Sequence, residues 1–107
     1  MTDSYEIIVN NCVTFDNYQE SKNLEDVAEQ IKNRIFYEMK NLGFDEEEMN
    51  EFDAITPIVD RLIKRDRYMK NKFGNLFPLK VDEKYNETLD KLADLVIEKI
   101  EEELENL

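Results

Sequence analysis

Histidine is absent, cysteine occurs once, and glycine and proline occur twice each in 107 residues. Each shortage removes a class of chemistry. Without histidine there is no Ser-His-Asp or Cys-His nucleophilic centre, and Ser4 and Ser21 have no visible base. The single cysteine, Cys12, permits no internal disulfide and no cysteine-rich metal site, and reads as a small buried hydrophobe. Gly43 and Gly74 both fall where helices should end, which leaves no glycine-rich phosphate loop. Apolar runs extend only a few residues, well short of a membrane span. The first residues lack the basic-then-apolar pattern of a signal peptide. A cytoplasmic chain without cofactor or metal is the expectation.

What the chain has is charge of one sign. Acids number 26 against 14 bases, for a net charge of −12. Residues 1–60 carry 15 acids and 4 bases, residues 61–80 carry 1 and 7, and residues 81–107 carry 10 and 3. The order along the chain is therefore acidic, basic, acidic. Such a protein repels nucleic acid and anionic membranes at long range and attracts basic partners. Its apolar residues are patterned, which predicts one folded domain over 1–107 rather than a disordered acidic tail.

The pattern predicts a mainly α fold of four helices with a short N-terminal β strand or hairpin, an α+β arrangement being the close alternative. Tyr5, Ile7, Val9, Val13 and Phe15 alternate in a β-branched stretch. Asn10-Asn11 could turn a hairpin there. A helical reading through Tyr5, Ile8, Val9 and Cys12 competes. The first clear helix carries Leu24, Val27, Ala28, Ile31, Ile35, Met39 and Leu42 on one face, with Asn23 as N-cap and Gly43 as the left-handed residue after its end. Asp45 and Glu48 form an acidic capping box for the next helix, with Phe44 and Met49 at staple positions; it should stop near Ala54-Ile55. Thr56-Pro57 reads as N-cap and N1 of a third helix. Val59, Leu62, Met69 and Phe73 form its seam, with Ile58 and Ile63 beside them, and Gly74 ends it. An apolar connection with Leu76, Phe77, Pro78 and Leu79 follows, which could add an edge strand. The final helix should run from about Asp82 to the end, its apolar face formed by Tyr85, Leu89, Leu92, Val96, Ile100, Leu104 and Leu107.

Opposite that face lies the main functional candidate. Glu83, Glu87, Asp90, Asp94, Glu98, Glu101 and Glu105 follow steps of three and four, one stripe along a helix. With Glu102 and Glu103 the stripe holds about one carboxylate per 4 Å, close to the ≈ 3.4 Å per phosphate of one nucleic-acid strand. Lys84, Lys91 and Lys99 lie beside it. The functional reading is a nucleic-acid-like surface that occupies a basic cleft; the plain one is a solvated helix face. Arg61, Lys64, Arg65, Arg67, Lys70 and Lys72 form a basic counterpart. It could bind a phosphate backbone, though the surrounding negative charge opposes that; it would rather balance the neighbouring acidic helices or face solvent, or meet the stripe of a second copy in a homo-oligomer.

Two resemblances bear on function. Small, acidic, cysteine-poor chains of this kind are similar in character to the anti-restriction and anti-CRISPR proteins of phages. That likeness implies an inhibitor that mimics nucleic acid and occludes a basic DNA- or RNA-handling protein. Separately, Glu47, Glu48 and Glu51 with Glu87 and Asp90 resemble the EExxE…ExxD carboxylates of all-α MazG-type nucleotide pyrophosphohydrolases, which implies Mg²⁺-dependent hydrolysis of nucleoside triphosphates. The leading expectation is a non-catalytic protein-binding module of the first kind. The alternatives are a small adaptor that binds through exposed apolar residues such as Phe77 and Leu79, and the Mg²⁺-dependent hydrolase.

Overall fold

The N-terminal segment folds as a helix, and that decides the architecture. A computed structural model describes residues 3–15, 17–21, 23–69, 77, 79 and 82–106, the side chains of 68 and 69 excepted. Among these the chain forms five helices and no strand: α1 (Ser4–Thr14), α2 (Leu24–Asn41), α3 (Glu46–Glu51), α4 (Ile55–Met69) and α5 (Tyr85–Glu105).

The β strand or hairpin expected over Tyr5–Phe15 is therefore corrected to α1. Asp3 caps it, accepting from the Tyr5 N–H at 3.2 Å. Ile8, Val9 and Cys12 are buried, a set with helical rather than alternating spacing. β-propensity reports how a residue fits its surroundings, and here the surroundings are helices α2 and α4, both packed on α1.

The punctuation of α2 and α3 follows local rules. Asn23 accepts from the Glu25 N–H at 2.9 Å. At the far end Gly43 takes φ +87, and the N–H groups of Gly43 and Phe44 reach back to the carbonyls of Lys40 (2.9 Å) and Met39 (3.1 Å). These are the two bonds of a Schellman end. Both halves of the Asp45–Glu48 capping box are present, at 2.8 and 3.4 Å. α3 stops at Glu51, earlier than expected, because Phe52 is already extended. α4 starts earlier than Thr56-Pro57 suggested. The Ala54 carbonyl accepts from the Ile58 N–H at 2.9 Å, so Pro57 sits third in the helix, where its missing N–H has no helical partner to lose.

The four long helices form a ring of packed pairs: α1 on α2, α2 on α5, α5 on α4, and α4 on α1. Their inward faces make one core. It includes Ile31, Ile35 and Met39 of α2, Ile58 and Leu62 of α4, and Leu89, Leu92, Val96 and Ile100 of α5, each at most 1% exposed. Burying each such side chain stabilises the fold by roughly 1.5–3 kcal/mol, so the core dominates over any surface ion pair. Phe77 joins this core at 1% exposure. It is thus a packing residue, not the exposed apolar contact of the adaptor expectation; Leu79 is partly buried against the same core. Lys70, Lys72, Phe73, Gly74, Leu76, Pro78 and Leu107, and the side chain of Met69, lie outside what the structure describes. No described helix is long and apolar enough to cross a membrane.

Candidate functional site

The outward face of α5 is set by its inward one. Tyr85, Leu89, Leu92, Val96 and Ile100 are buried, which fixes the rotation of the helix about its axis. Residues on the opposite side then face water. Glu87, Asp90, Asp94, Glu98, Glu101 and Glu105 are all exposed on α5. Glu83 is exposed too, but stands before the helix. The Asp82 side chain accepts from the Lys84 N–H at 2.9 Å and its carbonyl from the Tyr85 N–H at 3.1 Å. That turn delays the helix start to Tyr85, so the row on the helix is six residues long rather than seven.

The row is not clear of the protein's own cations along its whole length. Arg67 of α4 donates to Asp90 at 2.9 Å. With Asp90 73% exposed, this surface pair adds little stability, yet it brings the basic face of α4 against the early part of the row. Lys99 turns away from the row to Glu29 of α2, at 3.3 Å. Glu103 pairs with the buried Lys32 of α2 at 3.3 Å, and Lys32 also holds Glu29 at 2.6 Å. The hydrogen bond from Lys32 lowers the Glu29 pKa. Burial works against the Lys32 ammonium, and the two carboxylates together outweigh it and raise its pKa.

Beyond these contacts the row is open. Among the described residues, Asp94, Glu98, Glu101, Glu102 and Glu105 make no ion pair within the chain. They span about 17 Å at 1.5 Å per residue. Two local effects oppose such an arrangement. Like charges at i,i+3 and i,i+4 repel, and carboxylates in a last turn face the negative end of the helix dipole. No base lies in the last turn of α5 to offset either. On α4, Arg61, Lys64 and Arg65 are exposed, also without an ion pair among the described residues.

Two further carboxylates are inside. Asp66, fully buried on α4, accepts from the Phe77 N–H at 2.9 Å and from the Tyr85 hydroxyl. It ties the α4–α5 connection and the start of α5 to one point. Burial, and then the Asp66 carboxylate, raise the Tyr85 pKa. Glu38 of α2, 3% exposed, pairs with Arg34 at 2.6 Å and accepts from the Asn11 amide of α1 at 2.8 Å. The Arg34 guanidinium lies over the Phe15 and Tyr37 rings, 4.3 and 4.7 Å from their centroids. Nearby, burial and then the Glu38 charge push the Cys12 thiol up to about 12, the state of an inert packing thiol. Burial likewise raises Tyr18, whose hydroxyl donates to the Cys12 carbonyl at 3.1 Å. Neither interior carboxylate stood out as a site in the sequence.

The carboxylates of the pyrophosphohydrolase likeness do not converge. Asp45 and Glu46 border a hollow shared with Glu103, so α3 lies toward the C-terminal end of α5. Asp90 is about 20 Å further back along that helix, and Glu87 further still. Among the described residues no group of three His, Cys, Asp or Glu side chains could hold a metal ion. Comparison with known protein families, curated proteins and solved structures finds no match, so the functional reading rests on the residues themselves.

Proposed function

We propose that this chain is a non-catalytic protein-binding module whose contact surface is the outer face of α5. The sharpest form is an inhibitor that presents carboxylates where its partner expects phosphates, and so occludes a basic DNA- or RNA-handling protein. The observation that carries the reading is the exposed run Asp94, Glu98, Glu101, Glu102 and Glu105, without an ion pair among the described residues, on a helix whose own electrostatics oppose it. Carboxylates spaced along a rigid helix would pair with a partner's lysines and arginines, raising the on-rate and the specificity of encounter. Glu87 and Asp90 extend the row, with Asp90 shared with Arg67. Glu83 adds charge from the preceding turn.

The test is capture of partners by the intact chain, with and without the triple change Asp94→Lys, Glu98→Lys and Glu101→Lys. Capture should fall steeply between about 0.1 M and 1 M salt, where the Debye length shrinks from about 10 to 3 Å. It should be competed by double-stranded DNA and lost in the triple variant. A partner retained by the triple variant at high salt would overturn the reading.

A further inference from the structure

From Asp94 to Glu105 the sequence holds six acids and one base, Lys99. That lysine stands three residues before Glu102 and four before Glu103, so both are its neighbours on the helix surface. Left to α5 alone, it would fold along the helix and cancel one charge of the open run. The tertiary structure sends it elsewhere. Its ammonium reaches Glu29 of α2 at 3.3 Å, Glu29 holds Lys32 at 2.6 Å, and Lys32 holds Glu103 at 3.3 Å. These two acids and two bases form one chain of alternating sign with no net charge. It is well packed between the helices: the Lys32 and Lys99 side chains are 9% and 24% exposed. Lys91, the preceding base on α5, is exposed and makes no ion pair among the described residues.

We propose that Glu29 is a positioning residue for the acidic row: by holding Lys99 against α2, it keeps the one base of that run from neutralising Glu102. The proposal rests on the row as a contact surface and explains how its charge stays open. A lysine–glutamate pair along one helix is weak, and weaker when the lysine comes first. Glu29 wins Lys99 because α2 already packs on α5 and Lys32 fixes the Glu29 carboxylate from its other side. A contact whose acceptor is already held costs less to order. Glu103, the other helical neighbour of Lys99, is taken by Lys32. Only Glu102 is then left for a released Lys99 to cover. The closed quartet also sets an edge to the surface. On its side toward α2 a cationic partner meets neutral ground, and beyond it the unopposed carboxylates of the run.

The experiment uses the full chain and a blocked tetralysine peptide as cationic probe, titrated by NMR at low salt. Glu29→Gln should weaken tetralysine binding by about twofold more than the loss of its own charge does, since a released Lys99 covers Glu102. A double-mutant cycle with Lys99→Gln isolates that excess. In the Lys99→Gln background, Glu29→Gln should show only the charge loss. Nuclear Overhauser contacts between Lys99 Hε and Glu102 Hγ should also appear in Glu29→Gln. An additive cycle, or no such contact, would overturn the role of Glu29 and leave the row standing. Lys91→Gln in place of Lys99→Gln should give an additive cycle; the same excess there would mark a general charge effect and overturn the role. The row is read out separately: tetralysine binding unchanged by the triple reversal at Asp94, Glu98 and Glu101 would overturn the row, and the role of Glu29 with it.

Discussion

Asp66 and Asp94 are the same chemical group put to opposite uses. Asp66 is fully buried and spends its lone pairs on the Phe77 N–H and the Tyr85 hydroxyl. Asp94, on the outer face of α5, is exposed and makes no ion pair among the described residues. Glu38 repeats the first pattern, tying α2 to α1 through Asn11; Glu98 and Glu101 repeat the second. The comparison teaches that net charge says little about what an acid does. An interior carboxylate survives desolvation only with partners, and so becomes part of the fold. An exterior one is free to face another molecule.

The contrast breaks most visibly at Asp66. Asp66→Ala removes the carboxylate that accepts from the Phe77 N–H and the Tyr85 hydroxyl in the interior and should destabilise the protein by about 3–5 kcal/mol. In a domain this size that lowers Tm by at least about 12 °C, measurable by thermal or urea unfolding. A change under about 1 kcal/mol would show that the clamp is incidental. Glu38→Ala should come next, at about 2 kcal/mol, because it strips the partner from Arg34 and Asn11 while Arg34 keeps some access to water.

An intermediate case sharpens the comparison. Glu29 is 44% exposed and links α2 to α5 through Lys32 and Lys99. Its pKa is lowered in the folded state from the ordinary 4.5. Its contribution is therefore complete above about pH 4.5 and fades as the pH falls through the folded value. Glu29→Gln should flatten the acid limb of stability below that pH. Solvent screening keeps the effect well under about 1 kcal/mol. An acid limb that keeps its full slope in the variant would show that Glu29 does not carry it. The smallest effect on stability belongs to the outer row. Asp94→Lys, Glu98→Lys and Glu101→Lys together should change unfolding free energy by no more than about 0.5 kcal/mol, or raise it slightly as the helix end gains cations. A large loss in that variant would place the row in the fold rather than at an interface.

Local signals in the chain were readable because they act over a few residues. Asn23, the Asp45–Glu48 box and Gly43 are geometric requirements of helix ends, and each does what its position demands. The faces of α2 and α5 were equally legible, since apolar spacing reports burial directly. The N-terminal segment was not. Tyr5, Ile7, Val9, Val13 and Phe15 suit a strand, whereas Ile8, Val9 and Cys12 suit a helix. Only the neighbours that cover them could decide. The interior acids were hidden for a related reason. Asp66 is the single acid among seven bases in residues 61–80, an oddity of sign that offered the one available clue. Its partners Phe77 and Tyr85 lie 11 and 19 residues away.

The sequence alone determined a mainly helical chain, where α2 begins and ends, and which side of α5 is acidic, because caps and periodicity are local. Tertiary structure decided that the first segment is a helix and that Phe77 and Asp66 are interior. It also decided that Asp90 is shared with Arg67. Each of these depends on which distant residues meet, and packing distributes burial and partners among groups that composition treats as identical.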